Sequence, residues 1–354
     1  MYGANKNKPE VRAPAIKGQL RWCWRAAKAS KNNKELLDSE NKIFGSTDYK
    51  SAVQITLKTI SAKLNANTNS LGKPGSGKGY LYYTQLMQVN KLKRDGITKC
   101  FFEPGTKFRL SIMAAEKNKF EQVLAAFWLL IHLNGIGSRS RRTAGNLNVL
   151  RVDGGTDILN FLTNFSTVDQ FQSFLQQNLA KIKGIILSQN GNNYSVLNNG
   201  EIKIVSQGFS KWDDAVEYIG KKIQLFRNRK DPDYNTIKDF LRTGRMSPNH
   251  DVERIDFGLP YSGQYRSLEG KKYRVKSCLN EITRRSSPLI LKVWKLGNLY
   301  CTGCVKLGGT FLPSDRFTLD EIKGHHRSQF HHQNTGIIDD FMNNHLGQTV
   351  GIKL

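Results

Sequence analysis

The chain has 354 residues, of which 54 are lysine or arginine and 29 are aspartate or glutamate, so its formal net charge is +25. A chain with this charge repels itself unless a polyanion neutralises it, which favours a nucleic acid as partner. Hydrophobic residues make up 38% of the chain, so it can bury a substantial core, and its length suggests two domains. The composition therefore excludes a disordered basic tail.

Neither a membrane span nor a secretion signal is predicted. The longest apolar run, residues 123–133, is too short to cross a bilayer, and MYGANKNKPEVR lacks the apolar centre of a signal peptide. A long amphipathic helix of the membrane-surface type is not evident either. The five cysteines form no even framework, and a chain of this size does not need disulfides. We expect a cytoplasmic protein with reduced thiols and no membrane contact.

The first predicted element is a helix over residues 12–28, RAPAIKGQLRWCWRAAK. At roughly 100° per residue, one face carries cations and another carries apolar side chains. The cations are Arg12 just before the first turn and, on one face, Lys17, Arg21, Arg25 and Lys28. Trp24 borders this face and could stack on a base, and Gly18 lets the backbone approach a phosphate. The alternative is an ordinary solvated helix face with tryptophans that pack.

The next elements complete one α+β module. Alternating apolar residues predict strands over 53–60 and 106–114, an aromatic run predicts a strand over 80–87, and helical spacing predicts a helix over 120–131. This order fits a ferredoxin-like or RNA-recognition fold, in which helices cover one face of an antiparallel sheet. The other face of the sheet would remain available to RNA.

A second set of elements predicts a second module of the same type. It comprises helices over 168–182 and 212–226 and strands over 194–197, 202–205, 289–294 and 299–307. We therefore predict an α+β protein with tandem ferredoxin-like (RRM-like) domains, residues 1–152 and 153–354, with long loop insertions. Between 227 and 287 the periodicity fades and turn-forming residues accumulate, which indicates an irregular basic insertion of long ordered loops or a partner-dependent segment.

The segment GIGSRSRRTAGN, residues 135–146, follows the predicted helix over 120–131 directly. Glycines such as Gly137 permit positive φ, so successive N–H groups can form an anion-binding nest. Arg139, Arg141 and Arg142 can add bidentate phosphate contacts. We predict that this loop holds a sugar–phosphate backbone, the alternative being a flexible basic loop without a fixed ligand.

These motifs carry a resemblance to a known family. RAPAIKGQLRWCWRA and GIGSRSRRTAGN resemble the helix motif and the Gly/Arg-rich loop of the RAMP superfamily, in particular the Cmr subunit that sits at the guide 3′ end in type III-B CRISPR complexes. RRSSPLILKVWK, residues 284–295, is similar to that family's late strand. The resemblance covers about half of the chain. It implies tandem ferredoxin-like domains, and a complex with other RAMP subunits on a guide (CRISPR) RNA and its target RNA.

Carried over position by position, the resemblance implicates seven residues in RNA contact. They are Lys17, Gly18 and Arg21 in the helix and Gly137, Arg139, Arg141 and Arg142 in the loop. Relatives begin with a β-strand before the turn equivalent to residues 3–9, whereas this sequence starts inside that turn. We expect that this strand is either lost by truncation or supplied from elsewhere. A missing strand would leave an exposed sheet edge, which proteins normally protect.

The expected subunit is not an enzyme and has no cofactor. Target-cleaving RAMP subunits use an aspartate in the loop before the helix, but residues 1–14 contain only Glu10 as an acid. An RNA-processing endoribonuclease of the same superfamily would need an acid/base group, for which His132 is the nearest candidate. Within an apolar helix a histidine is more often a core residue. The endoribonuclease and a general RNA-binding protein remain the alternative functions.

Two further motifs suggest chemistry that we do not expect. GKPGSGKG, residues 72–79, has the spacing of a nucleotide-binding P-loop, but Gly79 replaces the Ser/Thr that would hold Mg²⁺, so a flexible connector is expected. Cys301 and Cys304, followed by His325, His326, His331 and His332, could supply zinc ligands. Both cysteines lie in a predicted strand, where an offset of three residues places them on opposite faces. A strand and a polar loop without metal are therefore predicted.

Overall fold

The computed structural model describes residues 8–186, 194–229, 232–246, 251–279, 284–312, 314–333 and 335–354. These residues contain eight α-helices and twelve β-strands. The helices are α1 (Ala13–Lys28), α2 (Asn33–Phe44), α3 (Gly77–Arg94), α4 (Lys117–Leu133), α5 (Val168–Ile185), α6 (Trp212–Arg227), α7 (Asp233–Thr243) and α8 (Ile337–Asp340). The strands are β1 (Val53–Ser61), β2 (Leu64–Asn65), β3 (Phe101–Phe102), β4 (Lys107–Ala114), β5 (Val196–Val205), β6 (Tyr261–Tyr265), β7 (Lys271–Ser277), β8 (Leu289–Leu296), β9 (Leu299–Gly308), β10 (Arg316–Ile322), β11 (Arg327–His331) and β12 (Thr349–Lys353). The strand pairs of the sheets are antiparallel, so the predicted α+β class is confirmed.

A four-stranded antiparallel sheet in the order β12-β5-β9-β8 lies at the centre of the molecule. On one face, side chains such as Ile202 and Trp294 join α1, α4 and α5 in a first core. On the other face, Leu291 and Cys304 join α6 and α3 in a second core. Both faces of this sheet are therefore covered.

The amino-terminal part packs on this sheet through α1 and α4. Strands β1 and β4 form a separate antiparallel pair in which Val53 lies opposite Ala114. Their alternate side chains, including Ile55, Leu57 and Leu110, pack against the first core. The helices predicted over 12–28 and 120–131 and the strands over 53–60 and 106–114 are confirmed. The proposed domain boundary at residue 152 falls between α4 and α5, and residues on both sides contribute to the first core.

The strand predicted over residues 80–87 is wrong, because these residues belong to α3. The hydroxyl of Ser76 accepts from the N–H of Gly79 at 3.0 Å. The Glu217 carboxylate of α6 accepts from the N–H groups of Gly77 and Lys78 at 2.6 and 2.9 Å. Because a carboxylate at a helix N-terminus stabilises the helix, this capping and the packing on α6 override the β preference of the aromatic run. The P-loop-like motif is thus not a flexible connector but a helix start bound to an internal acid.

Two regions without predicted structure fold into regular elements. The first is α2, in which Leu36, Ile43 and Phe44 are buried. The second is the segment 227–287, whose described residues include α7, β6 and β7. These strands join β10 and β11 in a second four-stranded sheet, order β11-β10-β7-β6, over a third core. The strands are short, and β7 pairs with β10, which lies far along the chain, so that Val275 is opposite Leu319. No local sequence signal therefore marks this sheet.

The end of α4 is fixed on the central sheet by two side chains of β8. Lys292, fully buried at 0% exposure, donates from Nζ to the carbonyl of Ile131 at 3.1 Å and to that of Asn134. Trp294 donates from Nε1 to the carbonyl of His132 at 2.7 Å. The last carbonyls of a helix lack intrahelical partners and favour a nearby cation. These bonds therefore anchor the point where the loop over residues 135–146 begins.

Lys292→Met should destabilise the protein, because the substitution leaves two buried carbonyls without their donor. The expected loss in the free energy of unfolding is about 2–3 kcal/mol, measured by urea denaturation at pH 9. Lys295→Met, on an exposed position of the same strand, is the matched control and should change stability by less than about 0.5 kcal/mol. Equal stability of the two variants would contradict the capping role.

The same residue gives the stability a pH dependence. Burial lowers the pKa of Lys292 to about 7 from an ordinary value of 10.5. Between pH 7 and pH 10.5 the unfolded chain therefore binds more protons than the folded chain. The contribution of Lys292 to stability is therefore lost as pH falls towards 7 and grows as pH rises above it. The difference between wild type and Lys292→Met should widen from pH 7 to pH 9 in the same denaturation experiment. A constant difference would contradict this assignment.

Candidate nucleic-acid interface

The arginine-rich loop, residues 135–146, lies along the edge of β8. The N–H of Leu291 donates to the carbonyl of Arg141 at 3.2 Å, and the N–H of Thr143 donates to the carbonyl of Leu291 at 3.1 Å. The loop closes where the N–H of Ile136 donates to the carbonyl of Gly145 at 3.0 Å. Gly145 has φ +65°, and a Cβ there would lie 1.8 Å from the Ile136 oxygen. The loop is thus held in one conformation rather than flexible.

The predicted nest of free backbone N–H groups is wrong for the second half of this loop. The N–H groups of Arg142 and Ala144 donate to the carbonyl of Arg139, at 2.7 and 3.3 Å, and that of Thr143 is used by β8. Tight folding of the loop on itself consumes the donors that a phosphate would need. The guanidinium groups are therefore the groups through which this part of the loop can contact an anion.

The three loop arginines have neutral partners only. Arg139 donates from Nε to Gln85 Oε1 at 3.0 Å, and Arg141 donates to the carbonyl of Ser287. The Arg141 guanidinium also lies 5.1 Å from the ring centroid of Trp22 in α1. Arg142 Nη1 is buried and has no hydrogen-bond partner in the structure. Within the described residues no carboxylate forms an ion pair with any of the three.

A fourth arginine, Arg227 at the end of α6, joins this group. Burial, together with repulsion from Arg227 and Arg139, lowers the pKa of Arg142 to about 10. Burial lowers the pKa of Arg139 as well, and Arg227 adds to this effect. Arginine nevertheless stays charged at neutral pH, so the repulsion is present in the folded protein. We call Arg139, Arg141, Arg142 and Arg227 the arginine cluster, and an anion bound there would relieve it.

Sequence reasoning missed Arg227 and the α3 side chains that orient the loop. Arg139 is held by Thr84 and Gln85, which lie on α3 and not on a strand. A signal for Arg227 existed in the basic run RNRK, residues 227–230, directly after the helix predicted over 212–226. That run was assigned to the irregular insertion. Its proximity to the loop is a product of tertiary packing.

The structure gives Arg21 and Arg25 an internal partner instead of a nucleic acid. Arg21 Nη1 lies 2.8 Å from Glu40 Oε1 and Arg25 Nη1 lies 2.5 Å from Glu40 Oε2. Glu40 belongs to α2 and is only 1% exposed. Arg21 also donates to the carbonyls of Phe44 and Gly45 at the end of α2. The basic face of α1 thus exists as predicted, but these two residues attach α2 to α1.

Trp24 is a core residue, so its predicted role in base stacking is wrong. Its side chain is 1% exposed and Nε1 donates to Gln122 Oε1 at 2.9 Å. The helical period explains this, because Trp24 lies one turn after the buried Leu20. Trp22, which is half-buried, is the tryptophan of α1 that contacts the arginine cluster.

Three predicted helix residues remain near the surface. Lys17 donates from Nζ to Ser51 Oγ at 2.9 Å, and burial together with Arg21 lowers its pKa. Gly18 is exposed and has no atom within 4 Å of a Cβ placed there, so a ligand can approach its backbone. Gly18 lies one turn before Trp22, on the face that adjoins Arg141. Arg12 is exposed just before α1.

The histidine and cysteine candidates lie in the interior. His132 contacts the rings of Trp128 and Phe174, with centroids 4.5 and 5.2 Å away, and burial lowers its pKa to about 3. It is a neutral core residue. Cys301 packs in the first core and Cys304 in the second, so the prediction that they lie on opposite faces of the strand is confirmed. No metal-binding group of three or more His, Cys, Asp or Glu occurs among the described residues.

The later histidines also have other partners. His332 lies between Asp251 and Asp256, at 2.6 and 2.8 Å. Burial lowers its pKa, but the hydrogen bonds to the two carboxylates outweigh this effect and raise the pKa to about 9. His332 therefore attaches β11 to the segment before β6 as a charged group.

No helix in the described ranges combines the length and apolar character needed to cross a membrane.

Arg21→Met should destabilise the fold, because it leaves the buried Glu40 with one cation fewer and removes two donors to the end of α2. We expect a loss of about 3 kcal/mol in the free energy of unfolding, measured by urea denaturation. Lys42→Met, on an exposed position of α2, removes the same charge and serves as control. Unchanged stability of Arg21→Met would show that the residue is free for an external ligand.

Comparison with known proteins agrees with this architecture. Residues 2–148 match the model of the RAMP superfamily. The Cmr subunit Cmr1-1 of the CRISPR system of Pyrococcus furiosus is 25% identical over 299 residues, covering 82% of this chain and 78% of that protein. The subunit Cmr1-2 of the same organism is 30% identical over 165 residues, covering 42% of this chain and 88% of that protein. The crystal structure of apo Cmr1 from P. furiosus superposes with a TM-score of 0.66 at 20% identity, over 97% of this chain and 91% of that one.

The fold is that of an α+β protein with antiparallel sheets, and four arginines without a described carboxylate partner lie beside its central sheet. The family model and the relatives identify the family to which the chain belongs. The chain belongs to the RAMP superfamily, within the family of Cmr1 subunits.

Proposed function

We propose that the protein is a non-catalytic RNA-binding subunit of a type III-B CRISPR ribonucleoprotein, which acts in antiviral defence in the cytoplasm. It holds the 3′ region of a guide RNA, or the guide–target duplex, beside other RAMP subunits. The observation that carries the proposal is the arginine cluster, in which Arg139, Arg142 and Arg227 repel one another. Arg141 belongs to the same loop and packs on Trp22, and none of the four has a carboxylate partner among the described residues. A phosphodiester chain supplies the missing negative charge.

The chemistry of the cluster favours phosphate over base recognition. Guanidinium groups bind phosphate oxygens through charge-assisted bidentate hydrogen bonds. Phosphates carry no base identity, so such contacts give affinity that depends on salt and not on sequence. This behaviour suits a subunit that must accept guides of different sequence.

The tandem ferredoxin-like arrangement is part of the same proposal. In the carboxy-terminal half, β5, α6, β8, β9, the helical segment 337–345 and β12 follow the β-α-β-β-α-β order of that fold. The amino-terminal half contributes the central α-β-β-α portion of the same order, in α1, β1, β4 and α4. We infer that the two halves are repeats of one unit, which place the arginine-rich loop at the junction between them.

Replacing Arg139, Arg141 and Arg142 together with alanine should weaken RNA binding and flatten its salt dependence. Each phosphate contact with single-stranded RNA contributes about 0.7 to the slope of log K against log salt, so the slope should fall by about 2. Fluorescence anisotropy with a labelled oligonucleotide over a salt series measures this. Arg142→Gln alone should also reduce affinity without loss of stability, because Nη1 has no partner to lose.

The matched control removes the same charge from another exposed surface. Lys58, Lys107 and Arg109 project from β1 and β4 and are exposed. Their triple alanine variant should keep most of the affinity and of the salt slope. If the loop variant retained the wild-type slope, or if both triple variants lost it equally, the arginine cluster would not be the RNA site.

The absence of catalysis is proposed from the position of His132. Its buried, uncharged imidazole cannot reach the 2′-hydroxyl of an RNA strand held at the surface. The purified protein should leave a labelled repeat-derived RNA intact on a denaturing gel, with or without Mg²⁺. Cleavage that disappears in His132→Ala would instead favour the endoribonuclease.

A further inference from the structure

A cleft of about 290 Å³ opens beside the arginine cluster, at the carboxy-terminal end of α6. Its lining includes Phe226, Arg227, Arg229, Glu253 and Phe257. Arg227 belongs both to this cleft and to the arginine cluster, since it acts on the charges of Arg139 and Arg142. A polynucleotide bound at the cluster therefore passes the mouth of the cleft.

Two guanidinium groups of the cleft are supported by aromatic rings. The Arg229 guanidinium lies 4.4 Å from the ring centroid of Phe226, and that of Arg227 lies 5.3 Å from the centroid of Phe257. Both phenylalanines are buried, whereas Arg229 is exposed and is held by Asp340 at 3.1 Å. A guanidinium packed on a ring has a second flat face, and nucleobases stack on such faces.

The same cleft contains a carboxyl group that suits a base better than a phosphate. Glu253 is half-buried, and no described residue donates a hydrogen bond to its side chain. Burial and the neighbouring Asp233 raise the pKa of Glu253. Asp233 itself is satisfied, because it accepts from the N–H groups of Glu253 and Arg254 at 2.8 and 3.0 Å. A carboxylate repels phosphate but accepts hydrogen bonds from the amino group of cytosine.

We infer that this cleft binds one nucleobase of single-stranded RNA, stacked on the guanidinium planes of Arg227 and Arg229, with its amino group directed at Glu253. The inference rests on the proposed function, because the arginine cluster holds the phosphates on either side of that base. It adds a base-dependent contact, with a preference for amino-bearing bases such as cytosine over uracil, to an otherwise sequence-independent interface.

The test compares a short oligocytidylate with an abasic ribose–phosphate oligomer of equal length. The variant Arg229→Lys, at a residue outside the arginine cluster, keeps the charge but removes the guanidinium plane. It should bind oligocytidylate about tenfold more weakly than wild type, since base stacking contributes about 1–3 kcal/mol per base. Its affinity for the abasic oligomer and its salt slope should not change. Arg109→Lys on β4 is the control for the substitution itself, and thermal unfolding checks the fold.

A second arm tests Glu253. Wild type should bind oligocytidylate several-fold more tightly than oligouridylate, and Glu253→Gln should remove this preference, because an amide can bond with either base. Equal wild-type affinity for oligocytidylate and the abasic oligomer, or an Arg229→Lys variant that weakens both or neither, would overturn the inference while leaving the proposed function intact. Loss of salt-dependent binding to the abasic oligomer in wild type would refute both.

Discussion

A buried lysine side chain holds the two halves of the molecule in register. Lys292 lies on β8, an edge strand of the central sheet, and its Nζ donates to the last carbonyls of α4 in the amino-terminal half. An amino group without partners in such surroundings would be costly, so β8 and the end of α4 must stay in one relative position. The arginine-rich loop starts at that point and bonds along β8. The direction of the functional loop therefore depends on a lysine about 150 residues later in the chain.

The two α1 arginines that contact α2 and the arginines of the cluster differ in their partners. Arg21 and Arg25 share the buried Glu40, which joins α2 to α1. Arg139, Arg141, Arg142 and Arg227 have neutral or aromatic partners, and no described carboxylate neutralises them. Burial of a charge without compensation is unfavourable in the free protein and is relieved by an anionic ligand. Pairing, and not the presence of positive charge, therefore distinguishes the structural cations from those that we propose bind RNA.

The insertion between α6 and β8 forms an ordered part of the fold with its own hydrophobic core. Its described residues build a third core with β10 and β11, and the charged His332 attaches the two parts through Asp251 and Asp256. The segment before β6 then places Phe257 under Arg227, and Glu253 lines the same cleft as Arg229. The insertion thus supplies part of the cleft beside the arginine cluster.

The sequence by itself determined what depends on local periodicity and composition. The amphipathic helices and alternating strands were predictable, as was the presence of a basic loop after α4, because side-chain period and turn residues act over a few positions. The excess of positive charge indicated a polyanionic partner before any fold was known. The family motifs followed from the same local residues.

Tertiary structure decided which charges remain available and where they meet. A helical period places Arg21 and Arg25 on one face, but it cannot reveal that Glu40 of a separate helix neutralises them. The aromatic run after Gly79 has strand preference, and only Glu217 at its N-terminus and the contact with α6 make it a helix. Arg227 joins the loop arginines because α6 and the loop pack on the same sheet. The physical reason is common to all three: ion pairing and burial join residues far apart in the chain, so no local pattern encodes them.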